Sequence, residues 1–151
     1  MKKKTIIFII IIVLLVFLYF LNDAYGRILL KEALHFPDCE NAVATVKSYA
    51  DDGSSLELNH EEKNILFDLI KEEARFAGYS SQRKITPIMR GDNVYAVTIT
   101  GDVYFSLFYL SEDPEKTVLC VNDRYIKIGK MRQTKSFVKK LFSRLFKNPF
   151  L

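Results

Sequence analysis

An uncharged run from Thr5 to Leu21 constrains this chain more than any other feature of its sequence. Its residues are almost all Ile, Leu, Val and Phe, so a helix formed by them would have no polar face to turn towards water. Such a helix would reach about 25 Å, a little less than the ~30 Å hydrocarbon core of a bilayer. Lysines at 2–4 and Tyr25 can extend it through the two interfaces. The run therefore predicts a membrane anchor over 1–26.

Two interpretations of this segment at the membrane remain open, and a soluble core helix is a third that the lack of a polar face disfavours. The apolar run is longer than the ~7–15 residues of a secretory signal, which favours an uncleaved anchor. Ala24-Tyr25-Gly26 is a small-x-small triplet of the kind that signal peptidase accepts, so a signal peptide cleaved after Gly26 is the alternative. The lysines at 2–4 outweigh the charges that follow the run, and the positive-inside rule then predicts a single-pass protein of the cell membrane with a cytoplasmic N-terminus and an extracytoplasmic domain.

Charge is distributed unevenly along the chain. There are 22 Lys and Arg against 18 Asp and Glu. All of the acids lie within residues 22–123, whereas residues 124–151 contain basic residues and no acid. This asymmetry predicts ends that meet an anionic surface, with a mildly acidic domain between them.

The remaining sequence predicts an α+β fold with one small domain over 40–130, after a linker over 27–39. NAVATVKSY is typical of a strand, ADDGSS of a turn and SLELN of a short hairpin partner. A helix then begins after Asn59, where Glu62 three residues later predicts a capping box, and ends at Gly78. The apolar stripe of this helix consists of Ile65, Leu66, Leu69, Ile70 and Phe76.

After Gly78 the pattern is β-like to about residue 128. RKITPIM is predicted as an edge or irregular strand because Pro87 cannot donate a ladder hydrogen bond. NVYAVTIT, VYFSLFYL, KTVLCVN and RYIKI are separated by short turns, so they predict an antiparallel meander in a sheet of four or five strands. One face of that sheet is expected to lie against the helix. Cys39 and Cys120 leave one disulfide open in an exported domain, although Cys120 is better explained as a small apolar strand residue.

The segment over 131–151 predicts a basic amphipathic helix that ends at Pro149. Its apolar face can pack on the domain, or it can lie in a membrane interface with the cations on anionic headgroups. A third interpretation is docking of this face into the groove of a partner. The residues predicted to contact the membrane are Phe137, Lys139, Lys140, Leu141, Phe142, Arg144, Leu145, Phe146 and Lys147.

No catalytic, cofactor-binding or metal-binding pattern is present in the sequence. His60, Glu61 and Glu62 are adjacent and point in different directions on a helix, so they do not form a metal site. Ser54 and Ser55 are better explained by the flexible turn that contains them than by a nucleophile motif. We therefore expect no enzyme and no cofactor.

The sequence predicts a membrane-anchored, non-enzymatic envelope protein that acts as a binding or interaction module. The expected partners are the membrane and a protein or peptide at the cell envelope, and no nucleic acid. The alternative is an immunity or inhibitor protein that acts against a membrane-active toxin or a protease.

Overall fold

The fold is seen in a computed structural model that describes residues 3–34, 41–49, 54–83, 85, 94–101, 105–111, 113, 116–121 and 124–147, with side chains up to Arg144. A long apolar N-terminal helix is followed by a small α+β domain, which contains a six-stranded antiparallel sheet and two helices. The elements in chain order are α1 (Lys3–Ala33), β1 (Val43–Ser48), β2 (Ser55–Glu57), α2 (His60–Glu73), β3 (Tyr95–Thr100), β4 (Phe105–Leu110), β5 (Val118–Val121), β6 (Arg124–Lys127) and α3 (Arg132–Lys147).

Helix α1 has two parts with opposite environments. Every side chain from Ile6 to Leu21 is at least 42% exposed, although all of them are hydrophobic. The last two turns are different, because four of their residues are buried by the domain. The linker that we predicted over 27–39 is therefore helical as far as Ala33, since this end of α1 buries apolar surface in the core. The buried residues are Gly26, Leu29, Leu30 and Ala33.

The six strands are all antiparallel, in the order β2-β1-β3-β4-β5-β6. The predicted meander is confirmed for β3 to β6, and the sheet gains two further strands because β1 pairs with β3 and β2 folds back on β1. One cross-strand row runs through the sheet and points its side chains to the same face. This row consists of Leu56, Val46, Val97, Phe108, Leu119 and Ile126.

The main hydrophobic core lies on that face of the sheet. The sheet contributes the cross-strand row, and α2, α3 and the end of α1 cover it. A second, smaller cluster lies on the opposite face and includes Ile85, Ala96 and Tyr109. Cys120 in β5 is half-buried, whereas Cys39 lies outside the described residues, as does any pairing between them.

Helix α2 begins as predicted and ends earlier than predicted. The Asn59 side chain accepts a hydrogen bond from the Glu62 backbone N–H (3.0 Å), and the Glu62 carboxylate accepts one from the Asn59 N–H (3.3 Å), so the capping box is formed. The helix ends at Glu73 and not at Gly78, because the chain after Ala74 pairs with the edge of β6.

Backbone hydrogen bonds along β6 explain the early end of α2. Ala77 donates to the Lys127 carbonyl and Lys127 donates to the Gly78 carbonyl, both at 2.8 Å. Ser80 donates to the Tyr125 carbonyl, also at 2.8 Å. These three bonds extend residues 77–80 along the outer edge of the sheet, where the exposed strand edge would otherwise lack partners.

The edge strand that we predicted for RKITPIM is not seen in its described part. Arg83 and Ile85 are helical, and Ile85 is buried against the second face of the sheet. Ile85 thus packs on the sheet through its side chain, as one member of the cluster with Ala96 and Tyr109. The rest of the predicted strand, residues 84 and 86–89, lies outside the described residues.

Candidate functional site

The apolar helix and the domain meet along one side of α1. The Tyr79 hydroxyl donates a hydrogen bond to the Asn22 carbonyl (2.8 Å), and the Arg124 guanidinium lies 5.0 Å from the centre of the Tyr25 ring. Asn22 follows directly after the apolar run. The edge of the sheet is therefore in contact with α1 at the residue where that run ends.

The close approach of the Phe76 ring to the backbone of α1 depends on Gly26. A Cβ at this position would overlap the Phe76 ring, so only glycine lets the ring lie against the helix backbone. Phe76 is held in place by Tyr79, whose ring lies edge-on at a centroid distance of 5.3 Å. The segment that pairs with β6 thus also contacts α1, so that α1 and the edge of the sheet pack together.

Next to this contact is a groove of about 600 Å³ between the end of α1 and the end of α2. Its floor is apolar and its rim is basic, and no carboxylate lines it. Two of the four cations lie one turn apart on α1, the third lies in the last turn of α2, and the fourth follows the end of α2. The cations are Arg27, Lys31, Lys71 and Arg75, and the apolar lining comes from Leu30, Leu34, Ala74 and Phe76.

Arg27 and Arg75 each interact with a residue close to them in the chain. Arg27 forms an ion pair with Asp23 one turn earlier, at 2.8 Å, with its side chain 67% exposed. Arg75 donates from one guanidinium nitrogen to the adjacent Ala74 carbonyl (2.8 Å). Lys31 makes no hydrogen bond or ion pair with the part of the chain that the structure describes. Lys31 therefore contributes an uncompensated positive charge to the rim, and Arg27 and Arg75 keep further N–H donors beyond those single contacts.

This groove was not predicted from the sequence, although signals for it exist. Gly26, Leu29, Leu30 and Ala33 follow an i, i+3, i+4, i+7 pattern, which indicates an apolar helix face that continues past the apolar run. The fourfold spacing of Arg27 and Lys31 places both on one side of α1. What could not be predicted is that these two cations share a groove with the other two, because the segments are some forty residues apart.

Helix α3 is tied to α2 by Glu73. Its carboxylate accepts hydrogen bonds from the backbone N–H groups of Gln133 and Thr134, both at 2.8 Å, and from the Thr134 hydroxyl at 2.7 Å. Partial burial alone would raise the pKa of this carboxyl, but these hydrogen bonds outweigh burial and the pKa of Glu73 lies below its ordinary value. Glu73 thus supplies the N-terminal cap that Met131, which precedes α3, has no side-chain oxygen to provide.

The residues that we predicted to contact a membrane fall into two groups. Leu141 and Phe142 are both only 3% exposed and belong to the main core, and Phe137 is half-buried against it. This packing supports the interpretation of α3 as a domain element, because Leu141 and Phe142 can reach lipid only if α3 leaves the core. Lys139, Lys140 and Arg144 are exposed, and the side chains of 145–147 lie outside the description.

The remaining polar groups considered for chemistry do not converge in the described part of the chain. The His60 ring is hydrogen-bonded to the Asn64 side chain one turn later, at 3.1 Å. Within the described residues no three His, Cys, Asp or Glu side chains come together as a metal site would require. On the second sheet face, burial raises the pKa of Tyr109 to about 12.

Helix α1 is long and apolar enough to cross a membrane, and none of its most apolar stretch is buried in the protein. These properties are compatible with a single-pass anchor and with a signal sequence. Comparison of the chain with protein-family models, with curated proteins and with solved structures found no match. The candidate site is therefore defined by its geometry alone.

Proposed function

We propose that this chain is a single-pass membrane protein whose α+β domain lies on the extracytoplasmic side and acts as a non-enzymatic binding module at the cell envelope. The observation that carries this proposal is the two-part environment of α1. Residues from Ile6 to Leu21 are exposed and uniformly hydrophobic, while the next turns of the same helix are buried in the domain. Exposed apolar surface of this extent is stabilised by lipid and not by water.

The same helix supports an uncleaved anchor over a signal peptide. The Ala24-Tyr25-Gly26 triplet lies inside α1, and Gly26 is buried against Phe76. Proteases favour exposed, irregular segments over the interior of a packed helix. Cleavage after Gly26 would also remove Asn22 and Tyr25, and with them the contacts that Tyr79 and Arg124 make with α1.

The proposal of binding over catalysis rests on the character of the groove between α1 and α2. The groove has cations around its rim and apolar side chains at its floor, and no carboxylate is among the residues that line it. Such a lining favours attraction of an anionic or amphipathic ligand, whereas acid–base catalysis needs groups with opposed protonation states within reach of one another. The alternative of an immunity or inhibitor protein stays a prediction from the sequence.

Topology can be tested with two reporters at one site. We expect alkaline phosphatase fused after Glu40 to be active, and a green fluorescent protein fused at the same residue to be dark, because only an exported domain supports the first result. The fused and native chains should both stay with the membrane in alkaline carbonate. Extraction by carbonate would contradict the anchor, and a bright fluorescent fusion with inactive phosphatase would contradict the orientation.

A further inference from the structure

The groove between α1 and α2 has a defined depth relative to the proposed span. The apolar run ends at Leu21 and is followed by Asn22 and Asp23, so the edge of the hydrocarbon lies at Leu21. Arg27 then lies about 9 Å beyond the hydrocarbon and Lys31 about 15 Å beyond it. The headgroup layer adds roughly 5–7 Å on each side, so Arg27 lies just above it and its long side chain can reach the lipid phosphates.

Contacts of the domain with α1 support this depth. Tyr79 and Tyr25 both lie beside the end of the apolar run, where aromatic residues of membrane proteins concentrate. Arg124, which is exposed, lies at the same level on the Tyr25 ring. The groove therefore opens beside the membrane surface and not on the distant side of the domain.

The charge of the rim calls for an anionic occupant. Arg27 and Lys31 are like charges at i and i+4 on α1 and repel each other, and Lys71 and Arg75 line the same groove without a carboxylate in the lining. An anion between Arg27, Lys31 and Arg75 would relieve this repulsion and accept hydrogen bonds from the guanidinium groups. Phosphate suits this arrangement because it has several acceptor oxygens.

The apolar floor calls for a ligand with hydrocarbon as well as charge. Leu30 is buried and Leu34 and Phe76 are half-buried along the floor, which would give a free inorganic anion nothing to contact. A phospholipid has both parts, and the membrane supplies it at the level of Arg27. Charge complementarity and position thus favour a lipid over a soluble anion.

We propose that this groove binds the headgroup and proximal chain of an anionic phospholipid from the membrane in which α1 is anchored. This inference rests on the proposed function, since α1 must span the membrane to bring the groove to the lipid. The phosphate lies between the α1 and α2 cations, and the glycerol and first methylene groups lie on Leu30 and Phe76. The bound lipid then holds this side of the domain against the surface of the bilayer.

The test uses the full chain in a neutral detergent, with native mass spectrometry to count bound lipid. Phosphatidylglycerol is titrated against phosphatidylcholine with identical chains, and glycerophosphoglycerol serves as the headgroup without chains. The groove variant is Lys31→Gln with Arg75→Gln. The matched control is Lys139→Gln with Lys140→Gln, which removes the same charge from exposed positions on α3. Thermal unfolding of both variants is recorded to show that they fold.

We expect the wild-type chain to retain one phosphatidylglycerol in preference to phosphatidylcholine. Because each cation near an anionic lipid contributes roughly fivefold in affinity, the groove variant should bind about 25-fold more weakly. The α3 control should bind as the wild type does. The headgroup alone should compete weakly, since it lacks the chains that contact the floor.

Four outcomes would overturn the inference. Equal retention of the two lipids would remove the anion preference, and equal losses in both variants would show a general effect of net charge. Full competition by glycerophosphoglycerol would identify a soluble anion as the ligand. A loss confined to the α3 variant would move lipid contact to that helix. Extraction of the chain by carbonate would contradict the proposed function. If the chain stays in the membrane and shows any of these four results, only the inference of lipid binding is contradicted.

Discussion

The contact between Glu73 and α3 gives the sharpest test of how the domain is held together. Replacing Glu73 with Ala removes the acceptor for two backbone N–H groups and for the Thr134 hydroxyl. Thr134 is fully buried, so its hydroxyl and N–H cannot turn to water without local opening. Loss of a helix cap costs about 0.5–2 kcal/mol, and hydrogen bonds to a charged group contribute more than neutral ones.

We therefore expect Glu73→Ala to lower the free energy of unfolding by about 2–3 kcal/mol. For a domain of this size that corresponds to a fall in melting temperature of roughly 8–12 °C. Near-ultraviolet circular dichroism of the full chain in neutral detergent is a suitable measurement, since Tyr95 and Phe142 form a ring pair (5.4 Å between centroids) between the sheet and α3. Glu72→Ala is the matched control, because Glu72 is an exposed acid on the same turn of α2.

The same interaction predicts a dependence on pH. The folded pKa of Glu73 is lowered, so its stabilisation is fully present above the unfolded value of about 4.3 and is lost as the pH falls through the folded pKa. Glu73→Gln should thus be less stable than the wild type at pH 7, and the difference should shrink below about pH 4. A Glu73→Ala variant no less stable than Glu72→Ala, or a Glu73→Gln deficit that is the same at pH 3 and pH 7, would refute the capping role.

Three further predictions concern other contacts. Leu141→Asp should lower the free energy of unfolding by at least about 3 kcal/mol, because it places a charge in the core; a small effect, measured by chemical denaturation, would instead favour α3 as a surface helix. Gly26→Leu should lower it by about 1–3 kcal/mol by displacing Phe76, and a double-mutant cycle with Phe76→Ala should show coupling; additive effects would contradict this contact. Asn59→Ala should lower it by about 0.5–2 kcal/mol through loss of the capping box, and no change in the denaturation midpoint would contradict that role.

The elements that could be predicted from the sequence are those whose signal is local. The capping box of Asn59 and Glu62 lies within four residues, and the strands β3 to β6 show their turns directly. The end of α2 could not be placed, because residues 77–80 are held by β6, nearly fifty residues later. In the sequence, Gly78 resembles the glycine that ends a helix. In the structure its positive φ of 116° belongs instead to the extended segment that pairs with β6.

The candidate site was beyond prediction for the same reason. The pattern of Leu29, Leu30 and Ala33 would have indicated that α1 continues, whereas we predicted a linker over 27–39. Glu73 as a cap for α3 depends on a contact sixty residues apart, and nothing near it in the sequence suggests it. Pairings between distant segments are fixed by packing and not by local propensity.

The unbroken path of α1 from the apolar run into the core limits where the domain can act. A flexible linker over residues 27–39 would have given the domain a root-mean-square reach of about 20 Å. The helix instead holds it at one height and one orientation, so that with α1 in the membrane as proposed, the domain explores only the plane of the bilayer. Partners then have to enter a thin layer above the lipid, where confinement raises their effective concentration and lateral diffusion sets the rate of encounter.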